Sequence, residues 1–268
     1  GVLDEVRFVN ADIRDERALA AEYERADYVV NAAAESHVDR SIAGGRQFVK
    51  SNVEGAFVAM DLLRGADIRR FVQLSTDEVY GSIREGSFVE GDRLVPSSPY
   101  SASKASADMF VNAMWETYDL PITVVRPTNV FGPRQPPEKL VPKFTLRALS
   151  GQSLPLYGDG SQVRQWLYVD DLCRALRQVL ADGDDELYNV AGPDRKSNLA
   201  VTRAIVELTG ADERQIEFVE DRKGHDQRYA LDASKVRETL DVSPQVGFEE
   251  GLERPVRWYT DNQERFDD

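Results

Sequence analysis

Short runs of β-branched and aliphatic residues alternate along this chain with longer stretches whose apolar positions recur every three or four residues. That alternation predicts an α/β architecture with a parallel sheet. Strands are expected over residues 1–9, 26–34, 71–74 and 121–127, the last halted by Pro127. The run over 26–34 reads as a buried strand ending in the small residues Ala32, Ala33 and Ala34, and Phe71-Val72-Gln73-Leu74 as another buried strand. Helical periodicity covers residues 16–25, with Asp15 as its cap. It returns along a small-residue stretch traced by Phe48, Ser51, Asn52, Gly55, Val58, Ala59 and Leu62, and again from about Tyr100 to Tyr118.

Beyond residue 127 the segment 128–142 reads as a long proline-studded loop, and the C-terminal half then alternates short strands and helices. A strand is expected over 165–169, with Asp170 and Asp171 capping the helix that follows. Asn198 stands ahead of a helix over 199–208, where it is equally good as a cap or as a ligand-binding amide. Asp232 to Lys235 caps a short helix, and a surface helix interrupted by Pro255 is expected over 248–265.

Two stretches carry candidate chemistry. Ser75-Thr76-Asp77-Glu78-Val79-Tyr80-Gly81 follows the strand 71–74, so its polar residues should emerge together at the strand's C-terminal end, where open α/β sheets place their sites. Tyr100-Ser101-Ala102-Ser103-Lys104 heads a helix, and a spacing of four puts Tyr100 and Lys104 on one face. A lysine beside a phenol favours the phenolate, so Tyr100 is expected to titrate below its ordinary value and to act as a base. Asp77 and Glu78 supply an acid and a base if their surroundings separate their pKa values. The bland alternative is a solvated helix start capped by Ser98 or Ser101.

Composition narrows the class. The chain has 268 residues, 41% of them hydrophobic and 30% charged, enough for a large core. Its single cysteine, Cys173, excludes an internal disulfide and points to a reducing compartment. No signal pattern and no run long enough to span a bilayer is read, so a cytoplasmic location is expected. The net charge of −14 argues against nucleic acid or an anionic membrane as partner, and an anionic substrate would have to be met by local arginines and lysines. Acidic residues with Arg far outnumbering Lys suit a high-salt cytoplasm; circular dichroism unchanged on transfer to low salt would sink that expectation.

The Thr-Asp-Glu run and the Tyr-x-x-x-Lys pair together resemble the extended short-chain dehydrogenase/reductases, and among them the nucleotide-sugar 4,6-dehydratases that act on dTDP-glucose. The resemblance runs over essentially the whole chain. It implies a Rossmann-like doubly wound parallel sheet over 1–128 and a smaller α/β nucleotide-sugar-binding domain over 129–268, with some segments returning to the first sheet. It also implies tightly bound NAD, a homodimer joined through helices around 45–65 and 100–118, and no metal. A glycine-rich turn between a first strand and a helix, which would let backbone approach a pyrophosphate, is not found, so the chain reads as lacking the first βαβ unit of the family.

By the same resemblance Thr76, Asp77, Glu78, Tyr100 and Lys104 are catalytic. Asp12, Ile13, Ala32, Ala33, Ala34, Ser36, Ser51, Ser75, Tyr100 and Lys104 would hold the cofactor. Ser36, Thr76, Asn129, Lys139, Leu140, Pro155, Tyr157, Arg164, Asn198, Arg222 and His225 would hold the nucleotide sugar, with Tyr157 against a pyrimidine and Arg222 on the diphosphate. The run Glu35 to Ser41 matches the family pattern residue for residue, whereas Val130 departs from it where a second Asn is usual. His37 reads either as a structural hydrogen-bonder or as a ligand contact. Two alternatives stay open: a noncatalytic nucleotide-sugar binder, and a 4-epimerase or uronate decarboxylase, which needs the tyrosine but not the Asp-Glu pair.

Overall fold

Alternation of side chains along two β-branched strands sets up the layers of the molecule. In β2 (Arg70–Leu74) and β3 (Ile122–Pro127), Phe71, Ile122 and Val124 face one side, while Val72 and Val125 face the other. The structure, a computed structural model describing residues 5–266, covers the first side with α1 (Glu16–Tyr23), α4 (Gly55–Asp61) and α5 (Pro99–Tyr118). The second side is covered by α7 (Val169–Asp182) and α9 (Ser234–Leu240). With β1 (Tyr28–Asn31) and β7 (Leu187–Val190) these strands form a parallel sheet of order β1-β2-β3-β7. Helices on both faces explain why β2 and β3 are apolar on both sides.

Three expectations fail near the start. Of the strand expected over 1–9, residues 1–4 lie outside the described residues, and 5–9 join no strand among the described residues, Phe8 being 79% exposed. The strand over 26–34 shortens to β1 and is not buried: it lies at the sheet edge, with Tyr28 and Val30 exposed. The first helix stops at Tyr23, where the Asp15 carboxylate does accept from the Ala18 amide as its cap. The small-residue stretch is one helical run of α3 (Arg46–Phe48), a π turn over Val49–Glu54, and α4, set off from the preceding α2 (Val38–Ala43) by extended backbone at Gly44.

A second core gathers Phe131, Phe144, Leu154, Leu156, Trp166, Ile205, Phe248 and Leu252, each such buried side chain contributing roughly 1.5–3 kcal/mol. It fills the space between α6 (Leu140–Leu149), α8 (Asn198–Thr209) and α10 (Phe248–Asp261) and two small sheets. One sheet has order β4-β6-β8, from β4 (Asn129–Phe131), β6 (Val163–Tyr168) and β8 (Asp194–Ser197). The other pairs β5 (Leu154–Tyr157) with β9 (Ile216–Val219).

β4 is therefore a correction to the expected loop over 128–142: pairing of Asn129, Val130 and Phe131 with β6 satisfies their backbone. Val169 opens α7 rather than closing β6, and Asp170 and Asp171 are not its caps. The buried Asp171 carboxylate instead accepts from the Gln245 and Val246 amides. Ser197, not Asn198, caps α8. Ala233 occupies the cap position of α9 without a side-chain bond, while the Asp232 carboxylate accepts from the Ser234 amide. α10 ends at Asp261 and runs straight through Pro255, whose ring is buried with Phe248, Leu252 and Val256; it is a half-buried helix.

Candidate active site

At the C-terminal end of β2 the chain leaves the sheet and turns once in a 3-10 helix over Asp77–Tyr80, with Thr76 as cap: its hydroxyl accepts from the Glu78 amide at 3.3 Å. The turn closes at Gly81, φ +83°, where a Cβ would stand 2.4 Å from the Val95 carbonyl oxygen, so any larger residue would push the turn away. α5 meets this turn with its N-terminus. Ser98 and Ser101 form a reciprocal capping box there, and Tyr100 and Lys104 are both buried. The cap reading and the buried Tyr-Lys pair thus coexist.

Electrostatics differs from the sequence expectation for Tyr100. Burial, followed by the Glu78 carboxylate, pushes its phenol above the ordinary value, and the Thr76 hydroxyl works against them. Lys104 donates to the Leu74 carbonyl at 2.6 Å, and burial lowers its pKa to about 8. The lysine is thus tied to backbone, and desolvation outweighs its pull on the phenol.

The two carboxylates have distinct surroundings. Asp77 is buried, its pKa raised to about 8 by desolvation and then by Glu78. Thr76 donates to its Oδ1 at 3.2 Å, while Oδ2 has no protein partner. Glu78, half-buried, is also raised by desolvation, but Arg164, Arg222 and Lys139 all favour its charged form. At neutral pH the arrangement offers a protonated Asp77 beside a Glu78 that faces cations.

Glu78 opens into a cleft of about 190 Å³ whose walls include Ser36, His37, Asn129, Lys139, Leu140, Pro155, Tyr157, Arg164, Asn198, Arg222 and His225. The structure therefore brings together every residue expected at the nucleotide sugar except Thr76, which stands one residue behind, at the base of the turn. Lys139 reaches across to donate to the Ser36 carbonyl at 2.5 Å, and burial lowers its pKa. His37 caps α2, its Nδ1 accepting from the Arg40 amide at 3.4 Å, and lines the same cleft. His225 lies 2.6 Å from Asp221 and edge-on to Tyr157; burial and then Arg222 lower its pKa, while Asp221 works against them. Buried Asn129 Oδ1, Trp166 Nε1 and Arg222 Nε have no protein partner, so the wall carries polar groups available to a ligand.

A second cavity, of about 510 Å³, lies at the edge of the sheet and is lined by Asp12, Ile13, Ala32, Ala33, Ala34, Glu35 and Ser51. Asp12 is held by Arg14, which lowers its pKa to about 2. Ser75 lines neither cavity; its hydroxyl donates to Asp108.

Sequence reasoning gave no role to Asp39, whose carboxylate accepts from Tyr157 at 3.0 Å and from Arg222 at 3.3 Å across the cleft. Its place inside the matched run Glu35 to Ser41 was the available signal. Asn52 was read as one small polar residue of a helix. It lies within the π turn, exchanges bonds with both backbone groups of Glu35 and donates to Ser103 Oγ on α5.

A buried tyrosine and lysine on one helix, a carboxylate pair on the facing strand end and a cation-lined cleft define an α/β enzyme of nucleotide-sugar chemistry. The chain belongs to the family described as GDP-mannose 4,6 dehydratase, whose model matches residues 2–254. It is 53% identical over 259 residues to the low-salt glycan biosynthesis protein Agl12 of Haloferax volcanii, covering 96% of this chain and 83% of that protein. It is 45% identical over 256 residues to a dTDP-glucose 4,6-dehydratase of Actinoplanes sp., covering 95% and 80%. Among solved structures, DesIV, the dTDP-glucose 4,6-dehydratase of Streptomyces venezuelae with NAD and TYD bound, superposes with a TM-score of 0.96 at 46% identity, covering 98% of this chain and 83% of that one. Among the described residues, no helix is long and apolar enough to cross a membrane.

Proposed function

We propose that the chain dehydrates dTDP-glucose to dTDP-4-keto-6-deoxyglucose, with NAD as a resident cofactor that ends each turnover as it began. The observation that carries this reading is the Asp77-Glu78 pair, each in its own electrostatic setting, with Asp77 buried and Glu78 lining a cleft that carries Arg164, Arg222 and Lys139. An epimerase or decarboxylase has no use for that pair. The larger cavity fits a dinucleotide, since three consecutive alanines leave room for a ring against backbone. Asp12 and Ile13 would hold the adenosine end, and Ala32, Ala33, Ala34, Ser36 and Ser51, with Tyr100 and Lys104, the rest, while Ser75, committed to Asp108, would stand behind them. When bound, NAD supplies the acceptor and then the donor of hydride.

In this reading Arg222, Arg164 and Lys139 meet the diphosphate, the counter-charge that a protein of net charge −14 must supply locally. Tyr157, Pro155 and His225 pack the base, and Asn129, Leu140 and Asn198 line the sugar. With the positive charge of a bound nicotinamide and of Lys104 favouring its phenolate against the burial that raises its pKa, Tyr100 would take the proton of the 4-hydroxyl, with Thr76 beside it. Oxidation at carbon 4 acidifies the proton on carbon 5. Glu78 removes that proton while Asp77, protonated up to about pH 8, hands its proton to the departing 6-hydroxyl.

Mass spectrometry of dTDP-glucose incubated with the purified chain and NAD tests the reading: loss of one water is expected. An unchanged sugar with a folded protein overturns it in favour of a nucleotide-sugar binder without turnover. We further propose a cytoplasmic homodimer joined through the helical run over 45–65 and the helix over 100–118. Val49 on the π turn, Phe57 on α4, and Met109 and Phe110 on α5 are exposed there, and Phe57 meets Phe110 edge-on at 5.2 Å. Sedimentation is expected to give a dimer for the native chain and a monomer for Phe110→Asp; a native monomer removes this part of the proposal.

A further inference from the structure

Residues 75–81 carry Thr76, Asp77 and Glu78 out of the sheet, and both ends of this segment are tied to one buried ion pair. Arg126 on β3 donates through Nε to Asp108 Oδ2 at 2.9 Å, with both side chains almost wholly buried. Asp108 lies on α5 one turn beyond Lys104. Ser75 Oγ donates to the same carboxylate oxygen at 2.9 Å. At the other end of the segment, Arg126 Nη1 donates to the Tyr80 hydroxyl at 2.7 Å, with the guanidinium 4.7 Å from the Tyr80 ring centroid. Tyr80 in turn donates to Asn189 Oδ1 on β7 at 2.9 Å.

Stability alone does not account for such a pair, because well-packed apolar residues of the same volume commonly hold a fold as well or better. What apolar residues cannot supply is a carboxylate on the Tyr100 helix that accepts from Ser75 and a guanidinium, held by that carboxylate, that donates to Tyr80. The planar guanidinium presents two nitrogens in fixed geometry, Nε to Asp108 and Nη1 to Tyr80, where a lysine offers a single nitrogen. We propose that Asp108 and Arg126 are positioning residues that hold the Asp77-Glu78 turn in register with the Tyr100-Lys104 helix, so that elimination follows oxidation within one bound complex. The proposal rests on the dehydratase reading above.

The two halves of the reaction can be followed separately. Oxidation sends hydride from carbon 4 to the nicotinamide and the hydroxyl proton to Tyr100. Elimination breaks the C5–H and C6–OH bonds, forms the C5=C6 double bond and releases water. A turn out of register slows the second half and spares the first.

Arg126→Lys keeps the charge but gives up the fork, and Tyr80→Phe removes one hydroxyl. Both are checked for folding by circular dichroism and melting. Expected in both is oxidation within threefold of the parent, water loss slowed at least tenfold, build-up of reduced nicotinamide with a 4-keto sugar that retains its 6-hydroxyl, and faster amide exchange over residues 76–81. Oxidation and water loss falling by the same factor, or neither changing, overturns the proposal. If Arg126→Lys does not fold, Tyr80→Phe decides. Should the parent chain neither oxidise nor dehydrate dTDP-glucose, the dehydratase reading fails by itself and amide exchange decides the register: unchanged exchange over 76–81 in a folded variant overturns it, and faster exchange supports it.

Discussion

The strand-end turn and the cleft it opens into are built in opposite ways. Thr76, Asp77 and Glu78 are consecutive, Tyr100 and Lys104 are one helical turn apart, and all of these but the half-buried Glu78 are buried. The cleft draws Ser36, Lys139, Tyr157, Arg164, Asn198 and Arg222 from six separate segments and keeps part of its wall in solvent. A buried turn raises pKa values through desolvation, whereas the cleft supplies charge that a ligand can meet. If chemistry belongs to the turn and affinity to the cleft, substitutions in the two should divide between kcat and KM.

The largest effects are expected in the turn. Glu78→Gln and Tyr100→Phe should each lower product formation by roughly 100- to 10,000-fold, the span of a positioned acid or base. Mass spectrometry of the sugar nucleotide reads both. Product formation that survives Glu78→Gln but not Tyr100→Phe would remove elimination from the turn and leave a tyrosine-dependent redox enzyme of another kind.

In the cleft, Arg222→Lys should raise KM by roughly ten- to a hundredfold with kcat within a few-fold, since a charge-assisted hydrogen bond is worth about 1.5–3 kcal/mol. Steady-state kinetics decides. A fall in kcat at constant KM would mean that Arg222 acts on Glu78, whose charged form it favours, and the division between the two regions would collapse.

How far each region could be read from the sequence follows the same contrast. The turn and the Tyr-Lys helix were legible because strand, cap and spacing are local: Phe71 to Leu74 fixes the exit, and four residues fix a helix face. Tertiary burial was not local. The expectation that Lys104 would lower the Tyr100 phenol failed because Lys104 is committed to the Leu74 carbonyl and the phenol is desolvated. In the cleft the ordered motifs named most of the wall through family resemblance. Asp39 escaped because its place in the matched run Glu35 to Ser41 marks the segment but not the long-range bonds from Tyr157 and Arg222 that its carboxylate accepts. β4 escaped for a similar reason, since three residues between prolines look like loop until β6 supplies their partners. The burial expected of β1 failed because position within a sheet is a property of the fold, and β1 stands at the edge.

A last effect is on stability, and it isolates the turn from any ligand. The Asp77 pKa in the folded chain, about 8, lies far above the ordinary carboxylate value near 3.8. Between those values the folded chain holds a proton that the unfolded chain has lost, so this group's contribution to stability is fully present below about pH 4 and declines as pH rises to about 8. Asn in its place carries no such dependence. Asp77→Asn should therefore match the parent's melting midpoint near pH 4 and exceed it increasingly up to pH 8, by roughly 10 °C or more for a chain this size. The same titration should impose a basic limb on kcat near pH 8, as Asp77 loses its proton and Lys104 its charge. Thermal melts at several pH values read the first and a kcat profile the second. A melting difference independent of pH would mean that Asp77 is ionised in the folded chain, and the acid role would pass to another group.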